Sequence, residues 1–286
     1  MKRSRLGAFL VLLSCLAYGQ EDLLALLEAD APKDKGYATA TFKGTRVING
    51  HSVETRSDGT LEFIISHRFG TLDSGPNDLW GLDIARIRLG LEYGVTDDLT
   101  VGIGRSSANK ILDVFGKYRF LRQSNASPIT ATVFTSLARN IDENANQEGI
   151  ERNAYTWQLL LARKFNSSFS LQLAPTFMQR NRVATRQDDN FLIALGIGGR
   201  YKVSNRVAIV AEYYPQFSDY DERFSNSVAF GVDIETGGHV FQLHLTNAMQ
   251  MNERGFIGET EENFWDGGIH YGFNITRVFD LKPNER

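Results

Sequence analysis

The sequence predicts an all-β protein, an antiparallel transmembrane barrel of about 12 strands, and three observations carry that expectation. Apolar residues recur with a period of two over nearly all of the chain beyond residue 60. Tight turns alternate with long polar loops. The alternating runs reach about ten to thirteen residues, which crosses a bilayer at a tilt and exceeds the roughly five or six usual in globular sheets.

The first residues read as a targeting segment. Lys2, Arg3 and Arg5 make a basic start, Leu6 to Leu16 an apolar stretch, and Ala17-Tyr18-Gly19 a small-x-small cleavage site, so residues 1–19 are expected to be a signal peptide. Leu12-Leu13-Ser14-Cys15 also resembles a lipobox, which would lipidate Cys15, although Leu before the Ser is an imperfect match. Cleavage after Gly19 removes three bases and no acids, moving the formal net charge from −3 to −6 and arguing against nucleic acid as a partner. It also removes Cys15, the one cysteine, and with it any disulfide, thiol nucleophile or thiolate for zinc, haem or iron–sulfur ligation. No cofactor is expected.

Residues 20–58 precede the first clear strand. Leu23, Leu24, Leu26 and Leu27 lie at helical spacing that Pro32 ends. Asn49-Gly50 and Ser57-Asp58-Gly59 are turn signals, so residues 37–56 either add two strands, making fourteen, or fold into the lumen. The whole segment is expected to be periplasmic or a plug, with Lys43 and Arg46 meeting Glu62, Glu92 or Glu212 inside.

The barrel is expected over residues 59–281, with 282–286 as a tail. Residues 84–95 show the pattern best: Ala85, Ile87, Leu89, Leu91, Tyr93 and Val95 share one face, and Arg86, Arg88, Gly90, Glu92 and Gly94 the other. Tyr155, Trp157, Leu159 and Leu161 alternate likewise, as do Phe191, Ile193, Leu195 and Ile197. Further strands fall near 60–69, 98–106, 110–121, 128–138, 168–180, 205–217, 226–236, 238–248 and 266–279. Thr96-Asp97-Asp98, Asn166-Ser167-Ser168, Ser204-Asn205 and Thr236-Gly237-Gly238 are the tight turns, expected on the periplasmic side. The segments near 70–83, 139–152, 181–189, 218–225 and 249–265 are the longer outer loops; 107–109 is short where a long loop is expected. Tyr93, Phe120, Phe165, Tyr201, Phe217 and Phe279 near strand ends suit an interfacial girdle. The competing architecture, a soluble sandwich, fits neither the strand lengths nor the girdle.

The stretches from Ala40 to Ser52, from Ile87 to Val95 and from Asp233 to His244 resemble a Bacteroidota outer-membrane barrel family labelled domain of unknown function 5777, over about residues 36 to 281. That resemblance implies a barrel in the outer membrane and no activity, since the family brings no site residues with it. Tyr271-Gly272-Phe273-Asn274-Ile275 is similar to the glycine-and-aromatic signal read by the barrel-assembly machinery, with Arg277 interrupting the alternation.

Lumen-facing parity collects Arg86, Arg88, Glu92, Asp113, Lys117, Arg119, Arg200, Glu212, Asp233 and His244, together with Glu62, Arg68, Lys164 and Lys202. Rings of such charges select ions or solutes; mixed charges inside a barrel otherwise pair with one another. No catalytic or metal-binding set emerges: His239 and His244 point to opposite faces, and no Ser-containing elbow or fixed acid serves His244, while the outward His67 leaves open only a phospholipase with serine and histidine on the lipid side. Acidic loops (Asp142, Glu143, Glu148, Glu151; Asp188, Asp189; Asp219, Asp221, Glu222; Glu259, Glu261, Glu262) read as solvated or as holding divalent cations at a lipopolysaccharide surface. The expectation is a non-enzymatic outer-membrane barrel, a narrow channel or small-solute transporter; the alternative is a structural or docking barrel for a periplasmic or surface partner.

Overall fold

Because apolar and polar residues alternate, each strand has a greasy face and a wet face, and closing the sheet on itself removes its unpaired edges. The computed structural model describes residues 36–183, 189–218 and 223–282. The chain divides into two compact units, Met1–Tyr37 and Ala38–Arg286. In the first, Gly36 and Tyr37 alone are described, so the expected signal segment, Cys15 and the leucine-rich stretch lie outside the described residues. So do Asp188, Asp219, Asp221, Glu222 and residues 283–286.

The second unit is a closed antiparallel barrel of β1 (Thr60–Thr71), β2 (Ala85–Thr96), β3 (Leu99–Ser106), β4 (Ile111–Leu121), β5 (Thr130–Asn140) and β6 (Asn153–Lys164), continued by β7 (Phe169–Arg180), β8 (Phe191–Lys202), β9 (Val207–Tyr214), β10 (Ser227–Thr236), β11 (His239–Thr246) and β12 (His270–Asp280). Each strand pairs with its chain neighbours, and β1 closes on β12 with Thr60 opposite Asp280. The strand number is twelve, not fourteen. Three strands, β3, β9 and β11, have eight residues and are shorter than the sequence suggests. β9 stops at Tyr214 rather than running to 217 because Pro215 follows it and has no N–H for the ladder. β12 starts at His270 rather than near 266, since Asn263 caps a short 3-10 turn at Phe264–Asp266 that left-handed Gly267 ends (φ 93°).

The two faces are inverted relative to a soluble sandwich. Leu89, Ile103, Val133 and Ile193 are 44–54% exposed on the outside, while Arg88, Glu92, Asp113 and Lys117 on the inside are at most 1% exposed. An apolar exterior around a polar interior is the partition that lipid demands. Phe120, Phe165, Tyr201 and Phe279 ring the end that carries the short turns; Trp80, Phe217 and Trp265 stand at the long-loop end. Arg277, which breaks the alternation, falls at the short-turn rim and lays its guanidinium 4.9 Å from the Phe279 ring, the position from which a long cation reaches water. At the same rim Asp98 accepts from Arg119 (3.0 Å) and Arg122 (2.6 Å). Partial burial raises the Asp98 carboxyl, but these hydrogen bonds outweigh it and hold the group below the ordinary carboxylate range.

Arg substituted for Leu89 or Leu159, mid-strand and lipid-facing, is expected to cost about 2–4 kcal/mol in urea unfolding from vesicles, and a cost below about 1 kcal/mol would contradict their contact with lipid. Lumen parity gives no cheap counterpart, which alters a simple expectation for an open barrel. Gln158 is buried and donates to Thr176 Oγ1 at 2.9 Å, and a Cβ on Gly90 would stand 2.9 Å from the Arg88 guanidinium.

A candidate functional site: a lumen entered from both ends

The site is the barrel interior, and the first element in it is the segment from Ala38 to Ser57. Asn49-Gly50 turns the chain as its residue types require, and the hairpin closes with Val47 N–H on Gly50 O and Ser52 N–H on Thr45 O, both 2.8 Å. It enters at the short-turn end, where Lys164 Nζ donates to Thr39 O (2.7 Å) and Thr55 Oγ1 to Asp97 O (2.7 Å). Gly94 permits this entry: a Cβ there would lie 2.0 Å from Ser57 O.

Inside, the hairpin pairs with no strand of the wall, so its backbone groups need other partners, and wall side chains supply them. Glu212 of β9 accepts from three successive N–H groups at the tip, Ile48 (3.2 Å), Asn49 (2.7 Å) and Gly50 (3.1 Å). Gln172 accepts from Val53 N–H (2.8 Å) and donates to His51 O (2.7 Å). Gln242 donates to Val47 O (2.6 Å), Asn274 to Ile48 O (3.1 Å) and Thr132 to Val53 O (2.9 Å). Lys117 Nζ reaches Thr45 O (3.2 Å) and Glu54 O (2.5 Å). The apolar side chains of the hairpin are accommodated too. Phe42, Val47 and Val53 pack with Phe115, Phe134, Leu160, Ala162 and Ala174, and Ile48 packs with Val210 and Ala229.

The second element comes from the long-loop end. The 247–269 connection, expected as a polar outer loop, turns inward and carries α1 (Glu253–Gly258), all of whose residues are buried. Asn252 caps it by accepting from Gly255 N–H at 3.1 Å. Phe256 and Ile257 pack with Met178, Leu192, Ala194 and Tyr214; Arg180 and Gln216 bond the Gly258 and Ile257 carbonyls at 3.1 and 2.7 Å. The two intrusions meet at a charge cluster: Arg46 lies 3.9 Å from Glu92 and 3.7 Å from Glu253, and His51 Nε2 is 3.5 Å from Glu253.

The result is a filled interior. The inward residues of β5 (Thr130, Thr132, Phe134, Ser136, Ala138) and β6 (Ala154, Thr156, Gln158, Leu160, Ala162) are all at most 6% exposed, whereas a water column would expose them. Beside the hairpin, a cleft of about 30 Å³ bordered by Thr45, Asp233, Gln242, Asn274 and Thr276 has room for about one water.

The residues singled out by parity are distributed unevenly. Arg88 and Asp113 form a buried pair, with Arg88 Nε 3.1 Å from Asp113 Oδ1 and a second contact from Nη2 to Oδ2. Glu92 lies beside Arg46, and Lys117 and Glu212 hold the hairpin, as above. Asp233 accepts from Gln242 at 2.7 Å; Arg200 and His244 are buried. Arg86 shares their parity but stands exposed near the long-loop rim, opposite Arg68, so the structure does not place it in the constriction. Arg119 sits at the other rim between Asp98 and Glu54 (3.8 Å). Of the hairpin contacts expected, Arg46 reaches Glu92, whereas Lys43 pairs with Glu235 at 2.5 Å and Glu62 is taken by Thr45 (3.0 Å) and Arg56 (3.5 Å). Sequence reasoning passed over Gln172, Gln242, Asn274 and Thr132, the uncharged rungs; for the first three the available signal was an amide at lumen parity, where Ala, Gly or Thr is the commoner choice, and Thr132 carries no such signal. Among the described residues no group of three or more His, Cys, Asp or Glu is arranged to hold a metal.

A family model of membrane-bound β-barrel domains, DUF5777, matches residues 42–279. The chain belongs to that family. The DUF5777 match begins within the hairpin segment, so intrusion and wall are parts of one domain. Among curated protein sequences none matches. Solved structures that are similar in outline include the NanC porin (TM-score 0.49, 10% identity, 78% of this chain and 100% of that one). The KdgM porin (TM-score 0.46, 11% identity, 77% and 99%) and an outer membrane channel from Pseudomonas putida F1 (TM-score 0.46, 17% identity, 79% and 98%) are others.

Proposed function

We propose that this chain is a non-enzymatic outer-membrane channel that rests closed and conducts when its N-terminal hairpin leaves the lumen. One observation carries the reading: the hairpin is held by side chains of the wall and belongs to no strand ladder, so it can depart without breaking any pairing of the barrel. Short turns face the periplasm in outer-membrane barrels, which puts the entry of the hairpin on that side, within reach of a periplasmic partner. Outer-membrane lipid is the solvent of the apolar face, and the barrel-assembly machinery inserts it. The second reading, a structural or docking barrel, is favoured by Phe115, Phe134 and Leu160 pointing inward, since apolar side chains make a poor lining for a water column.

Conductance in planar bilayers separates the two. The full-length protein is expected to conduct little, and Ile48→Asp with Val53→Asp, which buries two carboxylates in apolar contacts and one of them beside Glu212, is expected to open it severalfold. A variant whose hairpin becomes protease-accessible while the current stays unchanged would leave the docking reading standing.

A further inference from the structure

The wall recognises the hairpin by its main chain. Among the described residues twelve hydrogen bonds join wall side chains to hairpin backbone: three at Glu212, two each at Gln172 and Lys117, and one each at Thr100, Thr132, Lys164, Gln242 and Asn274. Hydrogen bonds from hairpin side chains to the wall are fewer: Thr45 and Arg56 to Glu62, Asn49 to Thr246 and Arg68, and Thr55 to Asp97 O, beside the ion pairs of Lys43 with Glu235, Arg46 with Glu92 and Glu54 with Arg119. Backbone amides are common to every polypeptide, whereas a stopper recognised by its sequence would be gripped by its side chains. The apolar side chains fill shallow hollows: Val47 rests over Gly198, whose Cβ would come 3.2 Å from it, and Val53 lies among Phe134, Leu160 and Ala174. Main-chain rungs flanked by hollows for apolar side chains are the chemistry of peptide recognition; a sugar would call for hydroxyl-directed pairs, and an ion needs neither rungs nor hollows.

We propose that the lumen is a peptide-binding site for which the hairpin is the resident occupant, and that the solute class it accepts is an extended or hairpin polypeptide segment with small apolar side chains. This rests on the channel reading for its transport meaning, though not for binding itself. An incoming peptide takes the places of Val47 to Glu54, with its N–H groups on Glu212 and Gln172 and its carbonyls facing Gln242, Asn274, Thr132 and Lys117. The covalently attached hairpin competes at a high effective concentration, so a free peptide binds once the hairpin is weakened.

The test uses full-length protein with Ile48→Asp and Val53→Asp, which alter the occupant and leave the wall intact. Should that chain not fold, Gly50→Val replaces it, because a Cβ at Gly50 would stand 1.9 Å from the Tyr214 hydroxyl and displaces the tip by crowding. A fluorescent synthetic peptide of residues 40–57 is titrated in detergent and its anisotropy followed. Three comparison peptides share its length: one N-methylated at Asn49, Gly50 and Val53, one with Lys43, Thr45 and Asn49 changed to Ala, and one with Val47, Ile48 and Val53 changed to Ser. The N-methylated peptide is expected to bind about tenfold or more weakly, since bonds to a charged acceptor are lost, and the Ala-substituted one within about threefold of the parent. The Ser peptide is expected to weaken as its pockets empty. Equal binding of the N-methylated and parent peptides, or loss of binding on Ala substitution alone, would overturn main-chain recognition. Maltooligosaccharide competing with the peptide would overturn the solute class. Binding without any current in the opened variant would sink the channel reading and keep this one; current without peptide binding would do the reverse.

Discussion

Glu212→Ala is expected to release the hairpin while leaving the barrel intact. The carboxylate accepts from Ile48, Asn49 and Gly50 and takes no part in the strand ladder, so its removal strands three buried N–H groups at the tip and spares the wall. Each buried donor left without a partner costs about 1–3 kcal/mol, and a total near 3 kcal/mol lowers hairpin occupancy by about a hundredfold. Trypsin reads this directly at Lys43 and Arg46: Arg46 is buried beside Glu92 and Glu253 and is expected to resist cleavage in the parent protein, while both sites open in the variant. Glu212→Gln, which keeps one carbonyl oxygen, is expected to fall between the two. Unchanged protection in Glu212→Ala would mean that the remaining hydrogen bonds from Gln172, Gln242, Asn274 and Lys117 and the apolar contacts of Phe42, Val47 and Val53 hold the hairpin without Glu212.

Asp113→Ala is expected to destabilise the wall by about 3–5 kcal/mol, because it leaves the Arg88 guanidinium buried without its partner. The pair sits where Gly104 makes room for it; a Cβ there would lie 2.0 Å from the Arg88 guanidinium. Replacing both residues together, Arg88→Leu with Asp113→Leu, is expected to be close to neutral, since the desolvation cost of the pair goes with the pair. Urea unfolding from vesicles measures both variants against the parent protein. A double variant as unstable as Asp113→Ala would show that the pair contributes net stability and is more than a mutual neutralisation.

Much of this wall was readable because parity is local. A residue such as Leu89 is lipid-facing and Arg88 lumen-facing by their positions in one alternating run, and no distant contact is needed to decide it. The hairpin was half readable. Asn49-Gly50 fixes a turn wherever it lies, but two added strands and an inserted hairpin share that local signal. The choice is made by Glu212, Gln172, Gln242 and Asn274, between 119 and 226 residues further along the chain. The inward turn of the 247–269 loop was the least readable feature. Its acids suggested solvent, and the residues that decide otherwise are Phe256 and Ile257, which are apolar in a loop and have a capping Asn252 just before them. Charges read as a pathway are largely committed elsewhere: Lys117 to two hairpin carbonyls, Arg88 to Asp113, Arg119 to Asp98 and Glu54. Parity assigns a face and is silent about a partner, so Arg86 and Arg88 look alike in sequence and differ in burial by their height on the wall.

Hydrogen exchange at the hairpin amides tests the central claim most directly, because it needs neither a solute nor a substitution. With full-length protein in bilayers, Ile48, Asn49, Gly50 and Val53 donate to buried carboxylate and amide oxygens, and their N–H groups are expected to exchange about as slowly as those of the barrel strands. Exchange of these four at the rate of an unstructured peptide, with the strands fully protected, would mean that the lumen is not closed by this hairpin.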